Sequence, residues 1–369
     1  ASVEGVSGLA LEADSNVKVT VVGSVSLTGA KNGEGIRVPG SAVIEITGAG
    51  SLTAVGNAGK EYSSATGYQT EDTEYESSGA SGIGYAGQAV GKIYIHDLAG
   101  LTAEGYGVHA FGIGGNITSD LSLENVTSVA SVRGGFAQAL CLADEKYGKS
   151  EPEGGAAIGV GTDATAFGIS LKNVAIVSAK GGSKAAGIGA QHHTKAVISI
   201  TGCTIESVTG GNASAGIGGS RVAENTGSDR SGQTISITIA DSTITAQGGQ
   251  FGAGIGSGYD THCTQGDLAA ICTITITGSS RIAATGGKYA AGIGTGYHAS
   301  GLTGTIAATV DTTGTASGED FYKATYTSAQ AIGFGIVDPT RDGLNSTSSI
   351  TVGDTVISIA DAIAAISAA

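Results

Sequence analysis

The chain has 369 residues, of which 64 are glycine, and it carries a formal net charge of −14. This glycine content excludes a helical bundle, since an interior Gly costs a helix about 1 kcal/mol; three prolines exclude collagen, and 40 % hydrophobic residues exclude a disordered chain. The acidic balance argues against nucleic acid or an anionic membrane as a partner, and no stretch approaches the roughly 20 apolar residues of a membrane span.

The N-terminal segment contains an alternating apolar stretch, Val17, Val19 and Val21, which indicates a strand with one buried face. A glycine-rich repeat follows, in which Gly-Ile-Gly or a close variant returns at intervals of 30, 45, 30, 29, 38, 38 and 39 residues. A core unit of about 29 residues therefore accepts insertions. The central residues of the repeat are Ile83, Ile113, Ile158, Ile188, Ile217, Ile255, Ile293 and Ile332.

Each unit has the same order of segments. An alternating strand such as 235–239 (ISITI) comes first, a second short strand ending in glycines such as 243–249 (TITAQGG) follows, and then the Gly-Ile-Gly segment and a polar loop. Three strands with period-two alternation and glycine turns are typical of one coil of a parallel β-helix. Coils stacked about 4.8 Å apart bury a continuous core that no coil buries alone.

The sequence therefore predicts an all-β fold, a right-handed parallel β-helix of about nine coils with three short strands per coil. The handedness rests on the general preference of parallel crossovers. We expect a single domain over residues 1–369, in which 1–30 form the N-terminal cap and first coil and 31–353 form coils with loop insertions. Residues 354–369 are expected to form a C-terminal cap that begins as a strand and ends as a short helix.

Alternation within the Gly-Ile-Gly strand predicts an unusual surface. In 185–189 (AAGIG), Ala186 and Ile188 are expected to point inward, which leaves Gly187 and Gly189 outward. Repeated in every coil, this arrangement gives a strip of almost bare backbone. Either a tight bend or a covering segment requires these glycines, or the strip is a flat platform for a polymer or a partner sheet.

The loops after the Gly-Ile-Gly strands supply the candidate ligand-binding residues. Four and five positions after the central Ile, neighbouring coils place aromatic, basic and acidic side chains in one band, which we call the loop band. Tyrosines one coil apart can stack on sugar rings, while Asp, Arg and His hydrogen-bond hydroxyl and carboxylate groups. The alternative is a solvated loop edge. The loop-band candidates are His193, Arg221, Tyr259, Asp260, Tyr297 and His298.

The loop band lacks a convincing catalytic pair. Asp163 and Asp260 belong to coils three apart, about 14 Å at the usual strand spacing, whereas a glycosidase needs two carboxylates within about 9.5 Å. No Ser lies in a strand-turn-helix elbow. We therefore assign no catalytic residue and expect no catalysis.

Cofactor and disulfide predictions rest on two loops. The acidic segment 70–76 (TEDTEYE) offers oxygen ligands for Ca²⁺, although it lacks the glycine spacing of known calcium loops. No other cofactor is expected. Cys263 and Cys272 flank a short polar excursion and are either a disulfide pair or two core thiols.

The run that starts at Gly252 reads GAGIGSGYD and, further on, TITITGSSRIAATGGKYAAGIGTGYH. It resembles the glycine-rich repeats of large bacterial surface proteins, which are described as adhesin-like or carbohydrate-binding parallel β-helix proteins. The likeness covers about residues 80–335 and departs from the pattern in the long insertions and around 333–335. It implies an extracellular, secreted or cell-surface protein, and it carries over no catalytic residue.

These observations predict an adhesin-like or carbohydrate-binding protein of a bacterial surface whose partner is a carbohydrate or another host or cell-surface polymer. One alternative is a polysaccharide lyase or glycoside hydrolase acting on a polymer along the β-helix face. The other is a purely structural stalk or assembly module. Self-association fits the last alternative, whereas nucleic acid and membrane insertion are not expected.

Overall fold

Three long sheets dominate the fold of the computed structural model, and their strands together hold most of the described residues. The structure describes residues 6–57, 79–107, 109–117, 120–135, 154–161, 167–191, 194–221, 233–259, 271–299, 301–307, 309–315, 318–319, 325–326, 332–335 and 348–361.

The strands fall into sheets that we call A, B and C, with a two-stranded hairpin apart from them. Sheet A comprises β1 (Leu9–Ala10), β4 (Ile36–Arg37), β7 (Ile83–Val90), β10 (Ile113–Ile117), β13 (Ile158–Val160), β17 (Ile188–Ala190), β20 (Ile217–Gly219), β23 (Ile255–Gly256), β26 (Ile293–Gly294) and β31 (Ile332–Gly333). Sheet B comprises β2 (Asn16–Thr20), β5 (Val43–Thr47), β8 (Lys92–His96), β11 (Leu121–Glu124), β14 (Phe167–Lys172), β18 (Lys195–Thr201), β21 (Thr234–Ala240), β24 (Ile271–Thr277), β27 (Gly301–Ile306), β32 (Ser349–Val352) and β33 (Thr355–Ser358). Sheet C comprises β3 (Ser24–Thr28), β6 (Ser51–Val55), β9 (Gly100–Glu104), β12 (Val129–Arg133), β15 (Ala175–Ile176), β16 (Ala179–Lys180), β19 (Thr204–Thr209), β22 (Thr243–Gln247), β25 (Arg281–Lys288) and β28 (Thr309–Thr315), and the hairpin pairs β29 (Gly318–Glu319) with β30 (Thr325–Tyr326).

The order of the strands is that of a parallel β-helix. The chain passes through sheets A, B and C in turn, from β1, β2 and β3 in the first coil to β26, β27 and β28 in the ninth, and β31 and β32 begin a tenth. Strands of neighbouring coils pair in parallel, and among the named strands only β32 with β33 and β29 with β30 pair antiparallel. The predicted parallel β-helix of about nine coils with three strands each is confirmed.

The core is a stack of inward-facing aliphatic side chains. In sheet B, Ile169, Ile198, Ile237 and Ile274 lie in register in four successive coils, and each is at most 1 % exposed. Full burial of such a side chain stabilises the fold by about 1.5–3 kcal/mol. The aliphatic columns therefore bind neighbouring coils together, as the alternating strands predict.

A column of left-handed residues turns the chain from sheet B to sheet C. Asp97, Asn125, Asn173 and Asp241 occupy this corner in four coils with φ between 51° and 54°, a conformation that Asn, Asp and Gly tolerate best. The Asn125 side-chain amide donates to Asp97 Oδ1 at 3.0 Å, and that of Asn173 donates to Asn125 Oδ1 at 3.1 Å. These side chains link the coils on the outer surface, a role that the hydrophobic pattern does not reveal.

The Gly-Ile-Gly segment is a tight bend. The Ala215 N–H donates to the Gly219 carbonyl at 2.8 Å, which folds the chain back around Ile217. The equivalent bond joins Ala253 to Ser257 in the next coil. Because the repeated glycines are buried in this bend, they present no flat platform, and of the two explanations for them the tight bend is the one observed.

The C-terminal end closes with two capping devices. Strand β33 runs antiparallel to β32, and residues 359–361 are helical. At this helix start, the Asp361 carboxylate accepts from the Ser358 N–H and hydroxyl, while the Asp361 N–H donates back to the Ser358 hydroxyl. Such reciprocal bonds are a capping box, so the predicted strand followed by a helix begins as expected.

The cysteines described by the structure are core thiols. Cys272 is a free thiol with no exposed surface and takes the inward position next to Ile235 of the preceding coil. Burial raises its pKa to about 12. For Cys272 the core-thiol alternative is the one observed, and Cys263 lies outside the described residues.

A histidine joins neighbouring coils on the outer face of sheet B. His96 Nε2 lies 3.0 Å from Glu45 Oε1 and Nδ1 lies 2.7 Å from Asp97 Oδ2. Both nitrogens donate only in the imidazolium form. Lys18 extends the link by pairing with Glu45, and Asn125 extends it by bonding to Asp97. We call this chain of contacts the His96 stitch.

Glycine at position 256 should be irreplaceable. Its φ is +141°, and a Cβ there would lie 1.7 Å from the Gly294 carbonyl oxygen of the next coil. Replacing Gly256 with Ala should lower the free energy of unfolding by about 3 kcal/mol, from backbone strain together with overpacking, as measured by urea denaturation. Gly353→Ala is the control, because its φ is +56° with no atom within 4 Å. A loss of equal size in both variants would refute the role of the close approach.

The His96 stitch should make stability depend on pH. Burial acts to lower the pKa of His96, but hydrogen bonds to Asp97 and Glu45 outweigh it, so the pKa is raised. The stitch then stabilises the fold fully below the unfolded pKa of about 6.5 and loses its contribution as pH rises through the folded value. The thermal midpoint should fall between about pH 6 and about pH 9 more steeply in the wild type than in His96→Gln. Parallel pH curves for the two proteins would disprove the stitch.

Candidate functional site

The structure brings together four of the six loop-band residues. Arg221 and Tyr259 are half-buried, whereas Tyr297 is 2 % and His298 4 % exposed. The rings of Tyr259 and Tyr297 stack at 5.4 Å with an interplanar angle of 18°, and Tyr297 packs against His298 at 3.8 Å. The band of neighbouring coils is therefore present, as the spacing predicts. His193 and Asp260 lie outside the described residues.

The bend explains why these rings meet. It places the residue four positions after a central Ile against the residue four positions before the central Ile of the preceding coil. The Tyr259 N–H donates to the Ala213 carbonyl at 2.9 Å, and the Tyr297 N–H donates to the Phe251 carbonyl at 3.0 Å. The same backbone bond thus recurs from coil to coil and stacks Tyr259 on Tyr297.

Two further aromatic residues complete the cluster, and our sequence analysis missed them. The Phe251 ring lies 5.6 Å from that of Tyr259 and 5.5 Å from that of Tyr297, and the Tyr289 ring lies 5.1 Å from Tyr297. Phe251 and Tyr289 both precede a central Ile by four positions and repeat with the same 38-residue interval as the two loop-band tyrosines. This shared interval was the available signal.

Burial corrects the expectation that the whole band faces solvent. Tyr297 has no ring face open to a ligand, because Tyr259, Phe251 and Tyr289 surround it. His298 is equally enclosed. For Tyr297 and His298 the solvated-edge alternative is wrong for the same reason. Only Arg221 and Tyr259 retain an accessible surface, so any ligand contact by the described loop-band residues is theirs.

Polar groups surround this accessible end of the cluster. The Arg221 guanidinium carbon lies 5.8 Å from the centre of the Tyr259 ring. Ser220 is fully buried and Asn212 is 8 % exposed. Gly258 allows its backbone to lie close to those of Ser220 and Ala213. A Cβ at this position would lie 2.4 Å from the Ser220 carbonyl oxygen and 2.6 Å from that of Ala213. We call Asn212, Ser220, Arg221 and Tyr259 the Arg221–Tyr259 site.

Three buried polar atoms of this site have no hydrogen-bond partner among the described residues: Asn212 Oδ1, Ser220 Oγ and Arg221 Nε. Nearby, Gln233 Oε1 is in the same state beside the backbone of Gly219. A buried polar atom without a partner costs about 1–3 kcal/mol, and native structures keep few of them. The site therefore holds an acceptor, a hydroxyl and a charged donor whose hydrogen-bonding capacity the described residues leave unused.

Metal and membrane features are absent from the part of the chain that the structure describes. No group of three or more His, Cys, Asp or Glu side chains lies close enough to hold a metal ion there. The calcium prediction for 70–76 lies outside these residues. Within the same residues, no helix has the length and hydropathy needed to cross a bilayer.

Comparison with known proteins finds no matching family model and no significantly similar curated protein or solved structure. The geometry of the Arg221–Tyr259 site and the rod that carries it are thus the basis for a functional assignment.

The buried tyrosine should act on stability. Replacing Tyr297 with Ala removes the ring at the centre of the cluster and should lower the free energy of unfolding by about 3–5 kcal/mol, measured by urea denaturation. Tyr297→Phe keeps the ring and should cost about 1 kcal/mol. An unchanged stability in Tyr297→Ala would mean that the cluster does not support the fold.

Proposed function

We propose that this chain is an extracellular, adhesin-like protein of a bacterial surface that binds carbohydrate through the Arg221–Tyr259 site and performs no catalysis. The observation that supports the proposal is the set of three buried polar atoms of Asn212, Ser220 and Arg221 that have no hydrogen-bond partner among the described residues, together with the half-buried Tyr259 ring. The resemblance of the repeats to bacterial surface proteins supports the location.

The chemistry of the site fits a sugar. A sugar ring presents an apolar face that packs on an aromatic ring, together with hydroxyls that both donate and accept hydrogen bonds. Asn212 Oδ1 is an acceptor, Arg221 Nε is a donor and the Ser220 hydroxyl is either, and a sugar reaches these buried atoms by displacing the groups that cover them. Because the chain carries a net charge of −14, a neutral glycan meets less long-range repulsion than a sulfated or uronic one.

The site is built for binding rather than bond cleavage. Its side chains include neither a pair of carboxylates nor a nucleophile beside a base, which glycoside hydrolysis and covalent catalysis require. Phe251 and Tyr297 pack against the Tyr259 ring at 5.6 and 5.4 Å and fix it before a ligand arrives. Such preorganisation reduces the entropy lost on binding.

A glycan-array screen followed by calorimetry on the strongest ligand tests the proposal. Arg221→Met keeps the aliphatic stem and removes the charged donor, so affinity should fall about tenfold to a hundredfold, the equivalent of about 1.5–3 kcal/mol. Arg281→Met is the matched control, since Arg281 is exposed at the start of β25 on sheet C. Equal affinity in the two variants, or no glycan bound by the wild type, would reject the site.

Ser220→Ala separates a binding role from a structural one. The substitution removes a buried hydroxyl that has no partner among the described residues, so the free energy of unfolding should not decrease, while glycan affinity should. Loss of stability with unchanged affinity would show that Ser220 serves the fold. Reducing ends or unsaturated sugars that accumulate with time would instead indicate the enzyme alternative.

A further inference from the structure

The aromatic stack stops at one position of the repeat. The residue four positions before the central Ile is buried in four successive coils, where it is Lys184, Ala213, Phe251 and Tyr289. The rings of Phe251 and Tyr289 stack at 6.3 Å with an interplanar angle of 9°. In the coil before Phe251, this column holds only the methyl group of Ala213. A ring placed at position 213 would therefore continue the stack.

The backbone does not require a small residue at position 213. The φ of Ala213 is 61°, a left-handed value that is unfavourable for any residue with a Cβ. Lys184 has a φ of 53° and Tyr289 a φ of 65° at the equivalent positions, and both carry large side chains. The short side chain of Ala213 is thus not imposed by the conformation of the chain.

Buried polar atoms without a partner among the described residues surround this short side chain. They all belong to the segment between β19 and β21: Asn212 Oδ1, Ser220 Oγ, Arg221 Nε and Gln233 Oε1. Asn212 precedes Ala213 in the chain, and the Ser220 and Ala213 backbones both lie against Gly258. The coil with the missing ring is therefore also the coil with unused hydrogen-bonding capacity.

Gln233 adds an acceptor whose identity is fixed by its other bond. Its Nε2 donates to the Gln191 carbonyl at 2.8 Å, and the Gln191 amide donates to the Gly154 carbonyl. The oxygen end of Gln233 then faces Gly219, where a Cβ would lie 2.1 Å from Oε1. Like Asn212 Oδ1, this amide oxygen accepts hydrogen bonds and cannot donate them.

We infer that the Arg221–Tyr259 site, extended by Gln233, selects an N-acetylated amino sugar whose ring takes the place beside Phe251 that the Ala213 side chain leaves unfilled. This inference rests on the proposed function, since it names the class of sugar that the same site binds.

The acetamido group of such a sugar matches the polar atoms of the site. Its N–H donates to an amide oxygen, that of Asn212 or Gln233, and its carbonyl accepts a charge-assisted bond from Arg221. Its methyl group adds apolar area next to Phe251. A protonated amine in the same place lacks the acceptor and is repelled by the guanidinium. A hydroxyl offers one oxygen where the acetamido group offers a separate donor and acceptor.

The sugar enters by displacing the Arg221 side chain. Arg221 is half-buried, its Nε is covered, and its guanidinium carbon lies 5.8 Å from the centre of the Tyr259 ring. A flexible aliphatic stem allows the guanidinium to move outward and then to bond to the ligand. The aromatic base stays in place, because Tyr297, which is 2 % exposed, supports the Tyr259 ring from below.

Matched sugars test the selectivity with the wild-type chain. The probes are oligosaccharides of N-acetylglucosamine and N-acetylgalactosamine, each compared by calorimetry with its deacetylated form and with the glucose or galactose counterpart. The acetylated member of the best-bound set should bind about tenfold tighter than either counterpart. Equal or tighter binding of glycans without an acetamido group would overturn this inference and leave the proposed function standing. Binding of no glycan would reject both.

Ala213→Tyr tests the place of the ring. Tyr289 shows that a tyrosine fits this backbone conformation, so the thermal midpoint should not fall, while affinity for the acetylated sugar should fall about a hundredfold or more. Ala213→Ser keeps a short side chain and should bind as the wild type does. A folded Ala213→Tyr variant with wild-type affinity would overturn the inference. If this variant does not fold, the matched sugars decide the question, because they require no substitution.

Discussion

The stacking of backbones about 4.8 Å apart is the constraint on which the other features of this molecule depend. The backbones of neighbouring coils approach each other most tightly at the Gly-Ile-Gly bend, where a methyl group on Gly256 would overlap the Gly294 carbonyl. Only glycine fits there, so the bend recurs with the same residues in successive coils. Because the bend recurs, the residues on either side of it meet in every coil, and this is how Tyr259 comes to stack on Tyr297. The aromatic cluster is thus a consequence of the glycine spacing.

The sequence alone was sufficient to predict the architecture, but it was insufficient to predict the environment of the side chains. The alternating strands with their 29-residue to 45-residue intervals predict stacked coils, since three short strands per repeat with variable loops are typical of a solenoid. Period-two alternation then misplaced Gly187 and Gly189 on an outer surface, because a strand of two or three residues that folds back on itself does not alternate as an extended one does. The sequence analysis failed to predict the burial of Tyr297 for the same reason. The corner residues Asn125 and Asn173 were missed because their conformation leaves no trace in hydrophobic periodicity.

At the candidate site, the predicted spacing was right and the predicted exposure was wrong. Arg221, Tyr259, Tyr297 and His298 do meet, but the chain uses two of them as interior packing and leaves two at the surface. The buried polar atoms of Asn212 and Ser220 belong to turns on separate parts of the repeat, and no one-dimensional pattern relates them.

The outer links of sheet B have a mechanical consequence. The strands lie across the rod, so tension along its axis acts on the coils in series. The end coil separates first when only its own hydrogen bonds resist this tension. The contacts from Lys18 through Glu45, His96 and Asp97 to Asn125, continued by Asn173, cross five successive coils on one side. A pull on the first coil is therefore distributed over several coils along that side.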